Sequence, residues 1–333
     1  MSSTTPPTTR RHLLALTGSL WLSCHANAQP VPSAPWPAKP IRLVVAYPPG
    51  GVSDVVARAL AEPLALRLGV PLLVDNKAGA SGALGVGAVA KSAADGHSLV
   101  FSAISPLTLS PHLGALPFEA ARDLAPVASV MYSPVLIVGT SALKDSSLKA
   151  LLETARGRPG SIRWATSGPA SLGHVVLEQI RAIAAVDITH VPYKGGGQQI
   201  TDALSGQFEV LSVNASAAVL QHIKAGKLRP LAVGAPQRLA NLPAVPTLAE
   251  LGYPAANLSS RFGILAPAGT PHTVIQRLNA EINAVLATPA LRERLLAAEC
   301  VPDPSSPAEF GKLIASESAS MARIVREARI QAE

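Results

Sequence analysis

AYPPGGVSDVVARAL, residues 46–60, decides how the rest of the chain is read. It starts inside the apolar run IRLVVAY (41–47), breaks at two prolines and two glycines, and continues at once into a segment with helical apolar spacing. A strand that ends in a glycine turn and restarts as a helix is the joint of α/β folds, and it leaves the first helical N–H groups unpaired. Glycines let a guest approach the backbone, and those N–H groups with the helix dipole favour an anion. A nucleotide P-loop would read GxxxxGK followed by Ser or Thr, and the chain holds no such match.

The same alternation extends outward. PLLVDN (71–76), GALGVGAVAKSA (82–93) and SLVFSAI (98–104) read as strand, helix and strand. A second series begins near residue 134: PVLIVGT, the helix SSLKALLETARGR, IRWATS, the helix SLGHVVLEQIRAIAAV, ITHVPY, the helix QQITDALSGQ, FEVLSVN and the helix SAAVLQHIKAGK. The tail returns to a strand, FGILAPAG (262–269), and ends in long helices. Short apolar strands separated by helices predict parallel sheets covered on both faces. Two series predict two α/β lobes: residues 29–132 plus 261–333, and residues 133–260. Pro243, Pro246 and Pro254 mark the return crossing.

The 333 residues suffice for two domains of roughly 100–200 residues each. TTRRHLLALTGSLWLSCHANA carries Arg10 and Arg11, an apolar stretch from Leu13 to Leu22, and the small residues Ala26 and Ala28. This pattern predicts a secretory leader over residues 1–28, with TRRHLL resembling a twin-arginine export signal, and hence an exported protein. Trp21 stands where a lipoprotein box wants a leucine-like residue, so Cys24 is not read as an anchor. Without the leader Cys300 is the sole cysteine, which leaves no internal disulfide and reads as a small half-buried apolar residue. The net charge of +7 falls to +5 with the loss of the two leader arginines. Scattered basic residues and only 4% aromatics give no footing for nucleic acid, while a mild positive field suits a small anion.

Three more glycine junctions repeat the design: NKAGASGALG (76–85), ATSGPASLGH (165–174) and PYKGGGQQ (192–199). Four of them divided between two lobes predict a cleft lined by N–H donors. Ser53 is read first as a helix cap. Asp54 would repel an anion, so it is read as shaping the loop through backbone amides or as meeting a proton or ammonium of the ligand. His174 is a candidate donor to the cleft; His97 and His190 receive no functional role. GASGA (79–83) lacks the second glycine of a GxSxG elbow, and SSLK (146–149) is explained by Ser146 as a helix cap. No HExxH, paired cysteines or close His/acid cluster predicts a metal, and no cofactor is expected.

WPAKPIRLVVAYPPGGVSDVVARALAEPLALRLGVPLLVDNKAGASGALGVGAVAKSAADGHSLVF, DLAPVASV, HVPYKGGGQQITDALSGQ, HIKAGKLRPLAV, LPAVPTLAELGYP and FGILAPAGTP together resemble the tripartite tricarboxylate transporter receptor family, also called the Bug family. The resemblance covers almost the whole chain after the leader. It implies a type II periplasmic-binding-protein-like α/β fold, two lobes with a ligand cleft between them, and capture of a small organic carboxylate without chemistry. It implies that Tyr47, Pro49, Gly50, Gly51, Val52, Ser53 and Asp54, with the turn Ala78, Gly79, Ala80, Ser81 and Gly82, hold a carboxylate, partly through ordered water. Ser102 and Ser105 lie near the cleft in the family. The second lobe contributes Thr166, Ser167 and Gly168, with His174 behind them, and the turn of Tyr193 and Gly195.

Two departures fall in the second lobe. Asn214 replaces the Asp usual at its strand end, exchanging a charged acceptor for a neutral donor and acceptor. Pro169 enters the SSGxGSxxH pattern and removes an N–H. The implied partners are the carboxylate and membrane permease subunits, with the receptor itself a monomer. Two other readings stay open: a ligand sensor feeding a receptor kinase, and an exported α/β hydrolase using Ser81 or Ser167.

Overall fold

A computed structural model describes residues 36–169, 171–193, 196–327 and 330, together with Met1, Ser2 and Thr4; apart from these three, the leader read at 1–28 lies outside the described residues. The opening joint is β1 (Ile41–Val45), buried except at Arg42, followed by α1 (Val52–Leu68). β2 (Leu72–Asn76), α2 (Ala83–Ala90), β3 (Ser98–Ala103), α3 (Ser105–Thr108) and α4 (Ala120–Asp123) follow. β4 (Leu124–Gly139) then leads to α5 (Leu148–Gly157), β5 (Arg163–Thr166), α6 (Leu172–Ala184), β6 (Thr189–Pro192), α7 (Gly196–Leu204), β7 (Val210–Asn214), α8 (Ala217–Lys224) and β8 (Arg229–Gly234). The chain closes with β9 (Ser259–Pro267), α9 (His272–Leu286), α10 (Pro289–Ala297), β10 (Val301–Pro302) and α11 (Pro307–Glu327).

The strands form a continuous path β2-β1-β3-β9-β4-β7-β5-β6, with β8 and β10 also paired to β4. β1, β2 and β3 are mutually parallel, and so are β5, β6 and β7. The expectation of purely parallel sheets is corrected at the middle: β9 runs antiparallel to β3 and β4, and β4 antiparallel to β7, β8 and β10. Strands that travel from one lobe to the other enter each sheet against its direction. Each lobe has three layers. In the first, α1, α9 and α10 pack on one face and α2 and α3, with Phe310 of α11, on the other. In the second, α5 and α6 cover one face and α7 and α8 the other.

β4 also corrects the strand expected to start at residue 134. Its 16 residues run through Pro134, because the proline falls where the strand leaves one sheet for the other. Up to Pro134 β4 pairs with β9, while Val135 faces both Asn214 of β7 and Gly234 of β8. The return crossing lies alongside, since Ser133 pairs with Ser260 and Pro134 with Ser259. α11 adds a third link: its Met321, Ile324 and Val325, with Ile330, pack against Leu109 of the first lobe and Val175 of the second.

At the crossing, a methyl group built on Gly234 would lie 2.1 Å from the Leu258 carbonyl oxygen. Backbone must therefore move to admit any side chain there. Gly234→Ala is expected to destabilise the protein by about 1–3 kcal/mol, as overpacking does, read by urea denaturation; an unchanged midpoint would show that the crossings are not tightly packed.

Candidate functional site

The turn after β1 bends at Gly50 (φ 78°), and Gly51 takes the cap position of α1 with no side chain to offer. Ser53, read from sequence as the cap, is instead the second helical residue and is buried, because the positive φ at Gly50 starts the helix earlier. α2 likewise has a glycine cap, Gly82. By contrast α5, α6, α8 and α10 are capped by Ser147, Ser171, Ser216 and Thr288, each accepting a backbone N–H. Ser147, not Ser146, is thus the cap of α5. α1 and α2, like α3, α4 and α9, have no side-chain acceptor at their caps.

Asp54 holds that turn in shape. Its carboxylate accepts the Gly50 N–H at 2.9 Å and Arg58 Nε at 3.0 Å. Arg58 Nη2 donates to Asn76 Oδ1 at 3.0 Å, and Asn76 Nδ2 donates to the Tyr47 carbonyl at 3.1 Å. Burial alone would raise the Asp54 pKa; the bonds from Arg58, Gly50 and Asn76, with the Arg58 charge, hold it below the ordinary carboxylate range. Of the two roles read for Asp54, loop shaping is therefore the one its bonds fulfil.

The second glycine turn is strained. Gly79, Ala80, Ser81 and Gly82 carry φ of 139°, 46°, 52° and 101° in succession. Left-handed backbone costs a residue with a Cβ about 1–2 kcal/mol, so Ala80 and Ser81 are held there by their surroundings. The Tyr47 hydroxyl donates to the Ser81 carbonyl at 3.5 Å, and a Cβ on Gly82 would sit 3.0 Å from that hydroxyl. Burial pushes the Tyr47 pKa up, opposed by the neighbouring hydroxyls of Ser102 and Ser105 and the backbone of Ala103. Ser102 Oγ is fully buried and none of its neighbours meets hydrogen-bond geometry with it. Tyr47, Ser81, Gly82, Ser102 and Ser105 are thus brought together. Pro49, Gly50, Gly51, Ala78 and Ala80 are exposed on the two turns, and Val52 is half-buried against the core.

In the second lobe Thr166 ends β5, fully buried, and its Oγ1 accepts the Gly168 N–H at 3.3 Å. Gly168 has φ 127°, and a Cβ there would meet the Tyr193 carbonyl at 2.7 Å. Ser167 is exposed between them. His174, in the first turn of α6, is buried, with its ring stacked on His190 at 4.2 Å and an interplanar angle of 7°. Tyr193 packs on Phe208 and its hydroxyl donates to Asp202 at 2.8 Å, so the phenol is held by its own lobe. Asn214 stands apart from this group: its Nδ2 donates to the Ser133 carbonyl at 3.4 Å, in the crossing. Gly195 lies outside the described residues. The lobes approach each other here, since Leu172 and Val175 of α6 share an apolar cluster with Leu109, just beyond α3.

His190 is the residue that sequence reasoning missed. Its Nε2 lies 2.7 Å from Thr166 Oγ1. The signal was present in ITHVPY, where alternation sets His190 on the face of Ile188, which is buried in the core under α6. Thr166 and His190 do not form a nucleophile and base, because the hydroxyl is fully buried and also engaged by Gly168. Cys300 is fully rather than half-buried, and burial, with the Glu299 charge, pushes its thiol up to about 12. Among the described residues no group of three or more His, Cys, Asp or Glu is placed to hold a metal, and no helix is long and apolar enough to cross a membrane.

This fold has close counterparts among solved structures. The structure titled R. palustris Rpa4515 with adipate matches with a TM-score of 0.81 at 30% identity, covering 89% of this chain and 99% of that one. The periplasmic binding protein BugD matches with a TM-score of 0.79 at 27% identity, over 90% of this chain and all of that one. The molecule therefore has the two-lobed type II fold of periplasmic binding proteins. BugT of Bordetella pertussis is 40% identical over 319 residues, 95% of this chain and 97% of that protein. A family model described as the tripartite tricarboxylate transporter family receptor matches residues 56–330. The chain belongs to that family, whose members are substrate-binding receptors and not enzymes.

Burial lowers the His190 pKa from 6.5 to about 4; the charges of His174 and Arg181 add to the shift and Glu178 opposes it. Between those values the unfolded chain binds a proton that the folded protein does not, so this contribution to stability is complete above pH 6.5 and is lost as pH falls to 4. The melting temperature of the wild type is expected to drop further across this window than that of His190→Phe; equal drops would contradict a half-buried imidazole held neutral.

Proposed function

We propose that this receptor is exported to the periplasm and captures a small organic carboxylate between its lobes, delivering it to the permease subunits of a tripartite tricarboxylate-type transporter. The observation that carries the reading is the pair of helix N-termini without side-chain caps, α1 at Gly51 and α2 at Gly82, beside the Tyr47 hydroxyl. The N–H groups of residues 51–53 and 79–81 take one carboxylate, directly or through water; within 49–53 and 79–82, Pro49 has no N–H, and those of Gly50 and Gly82 are already given to Asp54 and to the Gly79 carbonyl. The adipate held by a neighbour of 30% identity supports this ligand class.

The second lobe, residues 133–260, then closes on the first, residues 29–132 plus 261–333, with the crossings as hinge. Ser167 and the 166–168 turn bring its donors to the ligand's far end, and Asn214 acts on selectivity from the hinge. Closure dries the cleft and strengthens each bond. Micromolar affinity needs only about −8 kcal/mol, which a few charge-assisted bonds supply after the cost of closing. Residues 1–28 are removed as a leader on export, by the twin-arginine route, and the mature receptor acts as a monomer.

Calorimetric titration of mature protein with di- and tricarboxylates, aromatic acids, acidic amino acids and neutral amides is expected to give saturable heat with a carboxylate and none with its amide. Gly51→Asp places bulk and like charge at the α1 cap and is expected to weaken that binding at least a hundredfold. Undiminished affinity in the folded variant would remove the loop from the site.

A further inference from the structure

The 166–168 turn rests on a stacked pair of imidazoles, His174 buried and His190 half-buried, whose second member lies on another element. His190 of β6 stacks face to face on His174 of α6 at 4.2 Å, and its Nε2 meets the fully buried Thr166 Oγ1 at 2.7 Å. Thr166 Oγ1 in turn accepts the Gly168 N–H at 3.3 Å and lies 3.2 Å from the Gly168 carbonyl oxygen. With a proton on His190 Nε2, the hydrogen bonds run in one direction: His190 donates to Thr166, Thr166 donates to the Gly168 carbonyl, and the Gly168 N–H returns to Thr166. The Thr166 hydroxyl and both backbone groups of Gly168 then have partners. A side chain lacking that nitrogen leaves the Thr166 hydroxyl with one fewer bond and the turn free to rotate about Gly168.

The stack also fixes what His174 presents. Its Nε2 faces Glu178 Oε1 at 3.6 Å, and its backbone N–H is taken by the Ser171 cap. Nδ1 is buried and has no hydrogen-bond partner within the protein. A buried imidazole nitrogen in that condition is costly, and most such atoms in folded proteins are satisfied. The charged groups facing the pair are Glu178 and Arg181 of α6, with Asp187 reaching Arg181 at 3.6 Å from the loop before β6.

We infer that His190 is a positioning residue for ligand recognition: from beneath the 166–168 turn it fixes the Thr166 hydroxyl and the plane of His174, leaving His174 Nδ1 to answer a polar group at the far end of the ligand. This rests on the carboxylate reading above and adds to it a specific demand. Loss of His190 should fall on the end of the ligand that the second lobe reads, not on the carboxylate held by the glycine turns.

Adipate and hexanoate separate the two ends, since they share chain length and one carboxylate but only adipate has the second. For His190→Phe, which keeps an aromatic ring, the ratio of adipate to hexanoate affinity measured by calorimetry at pH 7.5 is expected to fall about tenfold, the scale of one hydrogen bond left unmade. His190→Gln keeps a planar donor and is expected to recover most of the ratio. Should His190→Phe fail to fold, Thr166→Val, which removes the hydroxyl that His190 holds, is read for the same ratio. A folded variant with the wild-type ratio would overturn the role of His190 while leaving carboxylate capture intact. Wild-type protein giving no heat with adipate, glutarate, succinate or hexanoate would overturn the carboxylate reading itself, and this inference with it.

Discussion

The antiparallel pairing of β4 with β9 is the constraint on which both lobes depend. β4 is one strand in two sheets: up to Pro134 it is a partner of β9, and from Val135 it separates β7 from β8. Because Ser133 and Pro134 pair directly with Ser260 and Ser259, the two crossings form a single two-stranded ribbon. Such a ribbon bends and twists more easily than it stretches, so it limits the lobes to rotation about a short axis. Gly234, with the Leu258 carbonyl against it, and Asn214, bonded to the Ser133 carbonyl, tie the second lobe to that ribbon. α11 packs across the same junction, so any rotation must also slide or roll Met321, Ile324 and Val325 over α6.

On this frame the two lobes treat polar groups differently. The first lobe leaves donors free at the glycine-capped start of α1, and a run of four positive φ values turns the chain sharply before α2. Its buried Asp54 carboxylate is engaged by the Gly50 N–H and Arg58 Nε. The second lobe spends its buried polar groups internally, through Thr166, Gly168, His190 and Glu178, and offers Ser167 at the surface.

Much of this was legible in the sequence. Strand-length apolar runs alternating with helical spacing gave the α/β class and the two lobes, and glycines at strand ends marked the turns that the structure gathers near Tyr47 and Thr166. The unread parts have physical reasons. The cap of α1 was assigned to Ser53 because residue preference favours serine, whereas the cap position is fixed by the positive φ of Gly50, which a sequence does not display. Pro134 looks like the boundary of a strand, yet it lies where a strand changes sheets, a position at which the missing N–H of proline is tolerated. His190 looked like a lone histidine because its partners, Thr166 and His174, are distant in sequence and adjacent only through the β5–β6 pairing. The bridging role of α11 depends on packing between lobes, which apolar spacing along one helix cannot specify.

The most direct test of the account is the response of backbone amide resonances to a titration with adipate. The account predicts saturable shifts at Gly51, Val52 and Ser53 and at Gly79 through Gly82, accompanied by shifts at Ser167 and Gly168 as the second lobe closes. Saturable binding that moves neither glycine turn of the first lobe would contradict it, because the carboxylate would then be held by something other than the uncapped ends of α1 and α2.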